Sequence, residues 1–330
     1  LPAFPAVAFR INSQAKVSIM VRSLAPLAEI VTGNLHGHCV ETYPGLLDAF
    51  PVSDYLRLLD QYPPEASYSF VGADVRNFCQ RVESRYSTQA LTMLHQMLVA
   101  TCIGRCDVPP SGVEIPDSIW QIIIDEQRRI LAEIERGWSA DMAGLGDLFL
   151  KDLGFSTLRL LPNGAEVVEP VSGVPRRILL QGGITQFLDV AYSFYLRRRP
   201  FKPIFQIHAS EKSLHEFTPA GWDQCYLRIA QLLEKNPSIP GVFGTSWFFD
   251  PALKSISPRL AYLRKPEQAG AKFYYVGPDP HSAMLATKKS PTRRRLFHDG
   301  LYQPTCYMLV WFREDLIHWA RHWEEDLQPV

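Results

Sequence analysis

The chain predicts an α+β fold: a helical N-terminal part, a small antiparallel insert, and a C-terminal α/β domain with a mixed sheet. Three observations carry that reading. Apolar residues recur at helical spacing in residues 1–145, short alternating runs separated by turn residues occupy much of 146–200, and strand-like and helix-like runs alternate over 201–330.

Taken in order, Ser53 opens a helical segment that reaches Tyr62 and stops at Pro63-Pro64. Residues 84–104 place Leu91, Leu94, His95, Leu98, Val99 and Cys102 at helical spacing. The clearest helix spans 118–136. Pro116 precedes it, Ser118 and Gln121 fit a capping box, Ile119, Ile122, Ile123, Ile130 and Ile134 form its apolar stripe, and Gly137 ends it. Residues 146–180 read as an antiparallel meander that turns at Pro162-Asn163-Gly164 and at Ser172-Gly173. A helix over about 184–198 follows and ends in Arg197-Arg198-Arg199-Pro200. Beyond it, strands are expected at 203–208, 241–249, 271–276 and 305–312, and helices at 219–235, 258–265, 291–299 and 313–323. Three of these helices begin at Thr218-Pro219, Ser257-Pro258 and Ser290-Pro291. A hydroxyl that accepts a free N–H, followed by a residue that has no N–H, is a strong helix start.

Composition narrows the function classes. The 330 residues are 46% hydrophobic and 21% charged, the balance of a globular chain rather than a disordered one. Lys+Arg and Asp+Glu both number 34, so the basic excess of a general nucleic-acid binder is missing. No apolar run reaches the roughly 18 residues that span a bilayer, and no membrane partner is expected. Residues 1–9 hold two Pro and no basic stretch, and so do not read as a signal peptide. The six Cys show no CxxC spacing. They read as buried reduced thiols of a cytoplasmic protein rather than a zinc site.

Ligands of open α/β sheets bind beyond the carboxyl ends of strands, beside helix N-termini. That directs attention to the residues after His208, after Trp247 and around Ser290. Lys288, Lys289, Arg293, Arg294 and Arg295 surround a helix start, where each cation is unfavourable by a few tenths to about 1 kcal/mol and a phosphate relieves the strain. Arg259 repeats the pattern beside Pro258. The plain alternative is a solvated basic face. Around Gly244-Thr245-Ser246-Trp247-Phe248, a nucleophile elbow would need Gly where Phe248 stands. A Ser246–His208–Asp250 triad can be drawn from residue types. The competing reading has Asp250 organising a loop while Trp247 walls the site or packs in the core. His208, at a strand end, suits a general base or a buried hydrogen-bonded histidine equally. His36 and His38, with Glu41, form a metal-like cluster if the segment is extended, because residues two apart then share a face.

Ala271–Trp311 resembles the GNAT superfamily of acyltransferases: a strand (AKFYYV), a helix (SPTRRRLFHDG), then Leu301-Tyr302 and a strand (TCYMLVW). The resemblance implies an acyl-CoA or related thioester donor, with Val242–Trp247 lining the pantetheine arm. The family's glycine-bearing pyrophosphate loop has no counterpart in Pro251–Arg259, and its general-acid tyrosine falls at Phe297. Under this reading Arg259, Arg293 and Arg294, with Thr245 and Trp247, hold the donor, and Tyr302 or Tyr307 replaces the acid.

Three functions are thus in play. The first is acyl transfer to a small amine or hydroxyl acceptor, with His208, Ser246, Asp250 and Tyr302 as the catalytic set, no metal, and small molecules as the partners. The second is a metal-dependent enzyme using His36 and His38. The third is a non-enzymatic binding protein.

Overall fold

A computed structural model of the protein describes residues 24–106, 108–138 and 144–326. The reading of residues 1–9 falls outside them. The chain forms two compact units. One runs up to Pro64 and adds Tyr68–Pro110 and Asp117–Arg159; the other takes Glu65–Ser67, Ser111–Pro116 and the chain from Leu160 onward.

The first unit is helical. Its helices are α1 (Ala25–Thr42), α2 (Leu46–Ala49), α3 (Val52–Asp60), α4 (Ala73–Arg85), α5 (Thr88–Arg105), α6 (Asp117–Glu135) and α7 (Asp147–Ser156). Twelve of the eighteen residues of α5 are buried. A helix apolar on all sides belongs at the centre of a bundle, and α5 packs against α1, α3, α4, α6 and α7. The single helix expected over 84–104 is two helices. The chain leaves helical geometry at Tyr86, and the Ser87 hydroxyl accepts the Ala90 N–H to start α5.

The segment around His36 is helical, as the rest of the N-terminal part is, and not the extended run that a His36–His38 metal site needs. Leu24, Ala28, Val31 and Cys39 form the buried stripe that fixes α1. Residues two apart on a helix point roughly 200° apart, so His36 and His38 diverge on an exposed surface. The His38 Nδ1 is 3.4 Å from the Thr42 hydroxyl. Among the described residues no three His, Cys, Asp or Glu side chains group as metal ligands.

His95 lies inside this unit. Its Nε2 is 3.1 Å from the Tyr55 hydroxyl, and its ring stacks 3.9 Å from Phe149. Burial lowers its pKa from 6.5 to about 3. The unfolded chain therefore takes up this proton first, and stability falls as pH drops from about 6.5 to about 3, by up to about 1.4 kcal/mol per pH unit. His95→Phe keeps the stacking, and we expect it to remove that slope in denaturant titrations across this range.

The second unit is built on a six-stranded mixed sheet of β1 (Leu161–Pro162), β2 (Glu166–Ser172), β3 (Ile204–Ala209), β4 (Gly241–Ser246), β5 (Lys272–Pro278) and β6 (Thr305–Phe312), in the order β1-β2-β3-β4-β6-β5. Only β3 and β4 are parallel; every other neighbouring pair is antiparallel. Helix α10 (Pro219–Lys235) makes the crossover between them. The other α-helices of this unit are α8 (Ile178–Gln181), α9 (Gly183–Ala191, extended by a π-turn over Tyr192–Leu196), α11 (Leu253–Ile256), α12 (Pro280–Lys288), α13 (Pro291–His298) and α14 (Arg313–Asp326), and the helix expected at 258–265 is a 3-10 helix over Pro258–Ala269.

Side-chain alternation divides the sheet. Ile204, Phe243, Tyr274, Met308, Val310 and Phe312 share one face and pack on Ile178, Val190 and Phe194 from α8, α9 and the π-turn. On the other face Trp311 meets Tyr226 of α10 and Trp319 of α14, at ring separations of 5.1 and 5.2 Å. Helix α9 is tied to the sheet edge by Gln186. Its amide accepts from the Tyr275 N–H at 2.7 Å and donates to the Tyr275 carbonyl at 3.0 Å. Two glycines allow this: Gly183 adopts φ +74°, and a Cβ at Gly182 would collide with the Gln186 side chain.

The meander expected over 146–180 is only partly β. Phe149, Leu150 and Leu153 are spaced for a helix and form α7, and Ile178–Gln181 is helical too, leaving the β1–β2 hairpin. Helix α12 is one the sequence reading passed over, although Asp279 before Pro280 repeats the start signal, the carboxylate accepting from the Ser282 N–H at 2.7 Å.

Candidate functional site

Parallel pairing brings the carboxyl ends of β3 and β4 side by side. Ile207 pairs with Gly244, which places His208 and Thr245 at neighbouring positions on the same face. Strand β2 supplies a partner from its other side. His208 Nε2 is 2.9 Å from Oε2 of Glu169. Val167 pairs with His208 and Glu169 with Gln206, so the contact is a diagonal cross-strand pair on one face. The Glu169 side chain is 5% exposed and that of His208 22%, so a buried carboxylate holds a ring that reaches the surface. With Nε2–H donating to the carboxylate, Nδ1 is the basic nitrogen of the neutral ring. Thr245 is exposed beside it.

Ser246 lies on the opposite face from His208, because the register that aligns Ile207 with Gly244 gives Ser246 the orientation of Ile207. Its Oγ accepts from the Phe248 N–H at 3.1 Å. The triad drawn from residue types therefore does not assemble. Asp250 is the loop organiser of the competing reading. One carboxylate oxygen accepts from the Ala252 N–H at 2.9 Å and the other from the Thr305 N–H at 3.1 Å.

A second grouping forms past the end of β4. Trp247, Leu253, Ala286, Tyr302 and Cys306 make a small core, and Arg293 is buried against it. The guanidinium lies 4.9 Å from the Trp247 ring centroid. Its Nε donates to the Ala286 carbonyl at 2.6 Å and Nη1 to the Ser257 hydroxyl at 2.9 Å. Among the described residues no carboxylate ion-pairs with Arg293 or Arg259. Burial, followed by the nearby Arg259 charge, lowers the Arg293 pKa, and Tyr302 opposes the shift. Tyr302 is pushed up by burial first and then by the Asp250 carboxylate, so it keeps its proton. Its hydroxyl makes no well-formed hydrogen bond. Arg259 and Arg294 are exposed, and Arg294 donates to the Lys288 carbonyl at 2.6 Å. The first turn of α13 has little left for an anion. Ser290 Oγ accepts the Arg293 N–H, the Ser290 carbonyl accepts the Arg294 N–H, and Pro291 has no N–H.

The structure thus separates the sequence-derived residues into two groups joined through the end of β4. His208 and Thr245 lie on one sheet face. Trp247, Asp250, Arg259, Arg293 and Tyr302 cluster past the strand end. Glu169 was missed, and only the β2–β3 register, 39 residues apart in sequence, brings it to His208. A glutamate among the valines of AEVVEPV was the available hint. Comparison with family models, with curated proteins and with solved structures finds no match to this chain.

Proposed function

We propose that the protein is an acyltransferase that moves an acyl group from a phosphate-bearing thioester to an amine or hydroxyl acceptor. The observation that carries this reading is the Glu169–His208 pair at the carboxyl end of the parallel strands. Glu169 holds the ring, and His208 Nδ1 takes the acceptor's proton as its heteroatom attacks the thioester carbonyl. The carbonyl's developing charge falls near Thr245–Trp247, where β4 has passed its last residue paired with β3. Collapse of the tetrahedral species expels the thiolate, which takes up a proton on leaving. Arg259, with the buried Arg293 behind it, supplies positive charge without a carboxylate partner, which fits a phosphate-bearing donor. The resemblance of Ala271–Trp311 to the GNAT superfamily supports the same donor class.

Thermal-shift titration with coenzyme A and acetyl-coenzyme A tests the donor. Ligand at about 100 times its Kd adds about 2.7 kcal/mol, seen as a saturable rise of several degrees. A flat response to both compounds rejects a coenzyme A donor.

A further inference from the structure

Helices α8 and α9 and the π-turn carry a feature that the acyl-transfer reading does not use. Their inner side is built from Ile178, Val190 and Phe194. Their outer side is also apolar. Leu180 is 81% exposed, Ile184 72% and Leu196 75%, and Phe187, Leu188, Tyr192 and Tyr195 are exposed as well. Seven of the fifteen large hydrophobic residues exposed in the described chain thus fall within seventeen consecutive positions. A contiguous patch of this kind marks a contact surface, whereas scattered single residues do not.

Charge identifies what the surface faces. The segment 174–202 contains Arg176, Arg177, Arg197, Arg198, Arg199 and Lys202 against the single Asp189, a net +5 in a chain whose overall net charge is zero. Asp189 is engaged by Lys272 and the Tyr274 hydroxyl. Arg199 is paired with Glu314, but among the described residues Arg176, Arg177, Arg198 and Lys202 have no carboxylate partner. At one end of the apolar face, Arg176, Arg199 and Lys202 line a cavity of about 510 Å³ together with Tyr195 and Phe201. A second copy of the chain fits poorly, because a two-fold contact would press two +5 segments together.

We propose that this face docks on an anionic lipid surface. Leu180, Ile184, Leu188 and Leu196 enter the acyl boundary, Tyr192 and Tyr195 sit at headgroup level, and the cavity between Arg176 and Lys202 receives a lipid phosphate. The apolar side chains and the basic rim are both required.

Vesicle sedimentation of the full chain tests this, with phosphatidylcholine alone and with about a third phosphatidylglycerol. The anionic vesicles are expected to bind at least about tenfold more tightly than neutral ones, and binding should weaken as salt rises. Ile184→Asp with Leu188→Asp should abolish binding. Arg176→Glu with Lys202→Glu should weaken it by at least about tenfold, since each basic residue near such a surface contributes about fivefold. All four residues are exposed, and circular dichroism checks both variants; if the apolar pair misfolds, the charge pair decides. Three results overturn the proposal: no binding to either vesicle, equal binding to both that the charge variant leaves unchanged, or a dimer in light scattering that Ile184→Asp with Leu188→Asp dissociates while vesicles bind nothing.

Discussion

Arg293→Ala is expected to destabilise the second unit by about 2–4 kcal/mol, lowering its melting temperature by about 5–15 °C. The substitution empties the space under the Trp247 ring and removes the donors that satisfy the Ser257 hydroxyl and the Ala286 carbonyl. Arg293→Met separates the causes. It refills most of the volume and removes a buried charge that has no carboxylate partner, so about half of the loss should be recovered. Thermal unfolding followed by tryptophan fluorescence is the measurement. A change below about 0.5 kcal/mol, combined with loss of the coenzyme A shift, would instead make Arg293 a ligand-holding side chain rather than a strut.

His208→Ala is expected to lower acyl transfer by about 10²–10⁴-fold, the range for removing a general base, while the coenzyme A thermal shift is retained. Glu169→Gln should lower kcat by less than His208→Ala but by more than about tenfold, with KM for the donor unchanged, because the ring loses the carboxylate that orients it. Thiol release in the presence of a panel of amines and alcohols reads both. If Glu169→Gln changes thermal stability but leaves kcat intact, the pair is structural and His208 is not the base.

Local patterns were legible in the sequence, and pairings across the chain were not. Strand Thr305–Phe312 and helix Pro219–Lys235 can be read residue by residue, because alternation and a hydroxyl–proline start are local. Thr218 and Ser290 cap their helices as the pattern requires. Ser257 precedes a 3-10 helix, and its hydroxyl accepts from the Arg293 guanidinium instead, a partner 36 residues away. The His36–His38 metal alternative depended on an extended segment, and the buried stripe Leu24, Ala28, Val31 and Cys39 that makes the segment a helix is set by tertiary packing rather than by the His-Gly-His triplet. At the candidate site His208 and Trp247 stood out by position. Glu169 did not, because a diagonal cross-strand contact exists only once the register is fixed. Among the described residues no helix is long and apolar enough to cross a membrane. Surface docking makes a different demand, an apolar stripe beside unpaired cations, and that stripe is recognisable only when the buried side of the same helices has been assigned.

The paired hydrogen bonds between Gln186 and Tyr275 also guard the molecule against its own kind. Strand β5 ends the sheet, and an uncovered edge offers a row of backbone donors and acceptors on which another chain can add a strand. A side-chain amide that engages one N–H and one carbonyl of that row imitates a neighbouring strand and closes the edge to strand addition at that point.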